Sequence, residues 1–252
     1  MKRVLLILLG CLLGISLLAQ EDKARQLKET KVEPPRFEKP MEYEEVEIIK
    51  PSPICYYIQE ELIYPEVTGG YQNEGIVGVE FTVEPDGTLS NFIVTNPVSP
   101  ELDWAVIECL KGTDDLWIPG KVNGKNASMQ KLVYVKFDVL GNPTHTEMAM
   151  HFYLSGTDIY QRALARTDEH STRANRKAKR GFKRTMNALD QALRYSPEDP
   201  SVIFWQAATY GQQGNQDMMN KKLDRYLEII NATGFQRVPE EELEIAVITR
   251  TK

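Results

Sequence analysis

Three histidines, His145, His151 and His170, are scattered through the second half of this 252-residue chain. No paired metal-ligand spacing accompanies them, and no glycine-rich phosphate loop is present. Hydrolytic, metal and phosphoryl-transfer centres each need several convergent side chains at defined spacing. The chain is therefore read as a non-enzyme with no cofactor and no metal. Cys55 and Cys109 are the cysteines that follow the N-terminal apolar run. An oxidising compartment would permit a bridge between them. Cys109 falls on the apolar stripe of an expected helix, so a buried free thiol is expected there unless Cys55 sits beside it. Arg173, Arg176, Lys177, Lys179, Arg180, Lys183 and Arg184 form one dense basic cluster in a chain of net charge -6. With no recognition motif and an acidic balance, nucleic acid is not an expected partner. The plain reading is a solvated helix face, and the sharper one is contact with an anionic envelope component or with the acidic residues 42–47 of a neighbouring chain.

What remains is chemistry of the backbone, and the elements around it can be read locally. Val77, Val79, Phe81 and Val83 alternate with Gly78, Glu80 and Thr82, the period-two pattern of a strand with one buried face. Glu84-Pro85-Asp86-Gly87 supplies the turn, since proline presets φ and glycine accepts a left-handed conformation. A second strand runs over Leu89–Asn96, where the apolar run Phe92-Ile93-Val94 predicts a register irregularity. Ser99 caps the next helix, with Pro100 at its first position and Gly112 at its end. Leu102, Ala105, Val106, Cys109 and Leu110 make one apolar stripe on that helix. A last strand over 131–139 turns Val133, Val135, Phe137 and Val139 to one side and Leu132, Tyr134, Lys136 and Asp138 to the other.

A helix between the second and third strands makes those two run the same way. In an antiparallel sheet the third must then pair with the first, giving spatial order 2-1-3 and two edge strands. An edge offers unpaired N–H and C=O groups that recruit another strand unless protected.

The stretch from Tyr64-Pro65 through Asp86-Gly87 to Trp117-Ile118-Pro119-Gly120 and the last strand resembles the C-terminal domain of the TonB family. The resemblance covers about residues 52–139. It implies an α+β fold with a small three-stranded antiparallel sheet. It also implies that the last strand binds a short extended peptide of an outer-membrane transporter by strand addition. Carried onto this chain, the acceptor residues are Leu132, Val133, Tyr134, Val135, Lys136, Phe137 and Asp138, helped by the segment before Tyr64. The matching residues Tyr64, Pro65, Asp86, Gly87, Trp117, Pro119 and Gly120 are read as fold-defining packing and turn residues. Four to six added backbone hydrogen bonds at about 1 kcal/mol each suit a contact of roughly millimolar to micromolar affinity.

Lys2-Arg3 and the apolar run ending at Ala19 read as a signal peptide over residues 1–19. Export to the periplasm is expected, with a lipid anchor on Cys11 as the alternative and membrane contact otherwise only indirect. Residues 20–51 read as an acidic, extended linker, too short in proline to form a stiff spacer across the periplasm. After residues 52–141 the pattern becomes helical. Asn187-Ala188-Leu189-Asp190-Gln191-Ala192-Leu193, then Pro197, Ala207, Tyr210 and Gly214, resembles a tetratricopeptide repeat. Residues 147–235 are thus expected to form an all-α, repeat-like domain of two or more helix pairs, followed by a tail over 236–252. The helix before Ala188 reads as highly basic without a clear apolar stripe. The whole reads as a periplasmic adaptor that binds a transporter peptide or another envelope protein. Its alternative is a scaffold whose sheet edge pairs with its own linker or with a sister chain in a homodimer.

Overall fold

The computed structural model describes residues 30–38, 52–65, 73–167, 171–233 and 245–250. The expected signal peptide, Cys11 and the acidic residues 42–47 lie outside them. The chain is mixed α+β. In order it forms β1 (Val32–Glu33), β2 (Arg36–Phe37), α1 (Pro53–Glu61), β3 (Gly75–Val83), β4 (Leu89–Asn96), α2 (Pro100–Lys111), β5 (Trp117–Ile118), β6 (Lys121–Val122), β7 (Lys125–Asn126) and β8 (Met129–Val139). Four helices follow, α3 (His145–Leu164), α4 (Thr172–Tyr195), α5 (Pro200–Gln212) and α6 (Gln216–Thr233), and then β9 (Ile245–Arg250).

The central sheet has the order β4-β3-β8-β9, with β9 parallel to β8 and the other pairs antiparallel. The order 2-1-3 expected for the first three strands is present. The sheet is nevertheless four-stranded and mixed, where a three-stranded antiparallel one was expected. The cause is residues 245–250, read above as part of a tail. Their sequence Ile-Ala-Val-Ile-Thr-Arg is rich in β-branched residues, and it pairs with β8 from Tyr134 to Val139.

The first face of the sheet is a core of Val77, Val79, Phe81, Val83, Val133, Val135 and Phe137, closed by Leu102, Val106 and Leu110 of α2 and by Ile54 and Ile58 of α1. The α2 stripe thus does what its spacing predicts. Ser99 Oγ accepts the Leu102 N–H, Pro100 opens the helix, and the Gly112 N–H closes it on Glu108. The register of β4 slips twice against β3, and Asn91 takes a φ of 53° within the second slip, a register irregularity that the uninterrupted apolar run of β4 predicts. Gly87 turns at φ +93°, and a Cβ there would stand 2.7 Å from the Trp117 carbonyl oxygen, so conformation and space both require glycine.

The two-residue strands tie the segment 30–38 to the tryptophan loop, β1 to β6 and β2 to β5. Phe37 is buried against Trp117 and Tyr57, with ring centroids 5.4 and 5.5 Å away. This part of the expected extended linker is therefore docked, because one aromatic side chain supplies enough apolar area to hold it.

The four late helices pack as successive antiparallel neighbours. Gly181 admits Ala163, and Gly156 admits Leu189, so α3 and α4 approach closely. Ala192 and Ala207 are buried, as small residues at helix crossings should be. The expectation for α4 needs correcting. Ala178, Gly181, Phe182, Thr185, Met186 and Leu189 form a continuous buried stripe opposite the basic side chains. That stripe is built partly of small and polar residues, which carry little hydropathy and hid it in the sequence.

Candidate functional site

The region predicted to accept an extended peptide is a groove between β8, α1 and Tyr64, and β9 fills it. Its register runs Tyr134 opposite Ile245, Val135 opposite Ala246, Lys136 opposite Val247, Phe137 opposite Ile248, Asp138 opposite Thr249 and Val139 opposite Arg250. Ala246 and Ile248 point into the core with 0% and 7% of their surface exposed, while Val247 and Thr249 face outward. Arg250 lies over the Tyr64 ring at 4.5 Å, and its carbonyl accepts the Leu140 N–H at 2.9 Å. The open edge expected over Tyr134, Val135, Lys136, Phe137 and Asp138 is thus an inner strand; only Leu132 and Val133, of the seven acceptor residues, lie beyond the ladder with β9. A β-branched segment near the C-terminus has satisfied the backbone groups that an edge would leave unpaired.

Two elements set the walls of this groove. Pro53 opens α1, whose Ile54, Cys55 and Ile58 are buried; Ser52-Pro53 and that spacing were the available sequence signals for a helix the reading above did not include. Tyr64 closes the upper end. Its hydroxyl donates to the Asn73 carbonyl at 2.5 Å and its ring meets Phe137 edge-on at 5.1 Å. Burial pushes its pKa up to about 12, with Arg250 opposing the shift.

The remaining motif residues take structural positions. Trp117 is buried and donates from its indole N–H to Thr113 Oγ1 at 3.0 Å. Asp86 Oδ1 accepts both the Thr88 N–H and hydroxyl, which, with the loop's own bonds, lowers its pKa. Gly120 leaves room for the Met129 side chain, Pro119 joins β5 to β6, and Pro65 follows Tyr64 at the rim. Cys55 is buried and Cys109 half-buried, and both carry thiols rather than a disulfide.

The second face of β8 meets the helices. Tyr134 projects there beside Gly78, where a Cβ would approach its ring to 2.9 Å. The Tyr134 hydroxyl donates to Glu198 Oε1 at 2.5 Å, and Arg225 of α6 grips both oxygens of Glu198 at 2.8 and 2.7 Å. Burial first, then the Glu198 carboxylate, raise the Tyr134 pKa strongly. At the base of the groove Arg194 Nε donates to the Glu74 carbonyl at 2.8 Å, and Glu74 Oε1 accepts the Val139 N–H at 2.9 Å. His145 Nε2–H donates to the Phe137 carbonyl at 3.1 Å. These long-range contacts join the groove's central strand to α3, α4, α6 and the turn before α5. Nothing in the local patterns of the sequence announces them.

Of the two histidines among the described residues, His145 is buried at this site, where it serves the backbone, and His151 is exposed. Among the described residues no group of three His, Cys, Asp or Glu side chains is placed to hold a metal ion, and no helix is long and apolar enough to cross a membrane. Comparison of the chain with protein-family patterns, with curated proteins and with solved structures finds no match.

Proposed function

We propose that this protein is a non-catalytic adaptor of the cell envelope that binds an extended segment of a partner protein by strand addition to β8, in the manner of the TonB C-terminal domain. Its four late helices act as a tetratricopeptide-like handle, and it serves TonB-dependent transport at the periplasmic side of the outer membrane. One observation carries this reading: β8 takes an added parallel strand from residues more than 100 positions away, in the groove where the resemblance places the ligand. The alternating burial of Ala246 and Ile248 supports a preference for small and β-branched apolar residues at every second position of a ligand. An incoming segment must displace β9, which keeps affinity low and exchange fast.

A second reading has an observation of its own. Because the chain fills its groove from its own sequence, the same strand could fill the groove of a sister chain, giving a self-associating scaffold with no transporter.

Titration of isotope-labelled full chain, and of its Ile248→Ala variant, with transporter-derived box peptides separates the two. Peptide-induced NMR shifts along Leu132 to Asp138 are expected. Their absence in both proteins removes the transporter reading. Concentration-dependent dimerisation abolished by Val247→Pro selects the scaffold.

A further inference from the structure

We propose that the outer face of α4 docks the protein onto an anionic phospholipid surface. Arg173, Lys177, Arg180 and Arg184 recur at steps of four, three and four, so they line one ridge about 16 Å long at 1.5 Å per residue. Arg176, Lys179 and Lys183 flank that ridge on one side. All of these side chains are exposed. With about 100° per residue, the ridge stands opposite the buried stripe of Ala178, Phe182, Thr185 and Leu189, so it faces away from the body of the protein.

Among the described residues the face carries no internal compensation. No Asp or Glu occurs from Ser171 to Leu189, and among the described residues no ion pair reaches any of the seven cations. Asp190, the first acidic residue of the helix, is engaged elsewhere and accepts from Gln206 Nε2 at 2.7 Å. Like charges at i,i+3 and i,i+4 destabilise a helix, and Arg180 alone has four such neighbours, Arg176, Lys177, Lys183 and Arg184. A fold that holds this repulsion in an otherwise acidic chain is placed to collect an anion.

The chemistry favours a lipid surface over other polyanions. No large apolar side chain of α4 is exposed and none of its basic residues lines a described groove, so the face lacks the anchor that a specific protein partner would use. It lacks the exposed aromatic rings on which nucleic-acid bases stack. A straight, convex ridge of cations instead suits a flat layer of phosphates, to which guanidinium groups bind through paired N–H donors. Contact with a membrane through α4 needs no lipid on Cys11 and is direct, unlike the indirect contact that the sequence suggests.

The test is co-sedimentation of the full chain with vesicles of phosphatidylcholine alone, and of phosphatidylcholine with phosphatidylglycerol in roughly equal amounts. The variants below share every residue outside α4 with the parent chain, so the difference in anionic-vesicle binding between parent and variant reports the charge of this face. Near a charged bilayer each basic residue is worth roughly a fivefold gain in partition. Arg173→Glu, Lys177→Glu, Arg180→Glu and Arg184→Glu together should therefore lower binding to the anionic vesicles by at least on the order of 500-fold, with unchanged circular dichroism. Raising the salt should remove the preference. If the quadruple variant fails to fold, Arg180→Gln with Arg184→Gln should still cost roughly 25-fold. Equal binding to both vesicle types, full binding by either variant, or tighter binding to polyglutamate or duplex DNA than to the vesicles would overturn the proposal.

Discussion

Replacing Ile248 by alanine should open the β8 edge without unfolding the sheet. Ile248 is 7% exposed and packs on the core beside Phe137, so truncation removes three carbons from a nearly closed site. Such truncations cost about 2–5 kcal/mol, and an edge strand that can settle inward belongs near 2–3. β9 contributes one further buried side chain, Ala246, and a ladder along one side only. The local opening equilibrium should therefore rise roughly 30- to 150-fold, since 1.4 kcal/mol is a factor of ten. Hydrogen exchange is the assay. Amides of Val247 to Thr249 should exchange faster by that factor, while Val77 to Val83 of β3 should keep their protection because their own ladders with β4 and β8 are untouched. An extended peptide should bind the variant more tightly by up to the same factor, because the competent state is more populated. Equal loss of protection in β3 and β9 would refute the reasoning, since β9 would then be integral to the cooperative unit rather than a removable cover.

Further consequences can be checked separately. Tyr134→Phe removes the 2.5 Å bond to Glu198 and should cost about 1–3 kcal/mol by chemical denaturation, being a buried bond to a charged group. Gly87→Ala should lower stability by roughly 1–3 kcal/mol, because its φ of +93° and the Trp117 carbonyl both oppose a Cβ; an unchanged melting curve would contradict the turn geometry. Burial pushes the Cys109 thiol from 9.0 up to about 11, so at pH 8 its alkylation should be roughly 100-fold slower than that of a fully exposed thiol from ionisation alone. Since the folded-state pKa is the higher one, the associated stability is intact below pH 9 and lost as pH rises through 11, which denaturation midpoints across that window would reveal. Arg180→Glu should stabilise the fold slightly, by roughly 1 kcal/mol, as four like-charge contacts become attractive.

Much of the sheet was legible from short patterns. The alternation of Val77, Val79, Phe81 and Val83, the turn at Asp86-Gly87 and the cap at Ser99 each report a conformation set within a few residues, and the structure places all three as read. Chain direction then dictated the order β4-β3-β8, because a helix between β4 and β8 leaves β8 only β3 as an antiparallel neighbour. The helices after residue 144 were legible as helices, but the buried stripe of α4 was not. Gly181 and Thr185 are buried because Ala163 and the neighbouring helix need space, a property of the pair rather than of either sequence.

The local sequence by itself determined which segments are strands and which of their faces seek a core, since side-chain alternation acts over two to four residues. It also determined that β8 would need its outer backbone groups satisfied. Only the tertiary structure decided by what: Ile245–Arg250 returns across the whole helical region to lie parallel to β8 under Tyr64. Backbone hydrogen-bonding groups are the same in every residue, so a strand's need for a partner is written locally. The identity of that partner is set by which distant segment brings the right side chains to the groove.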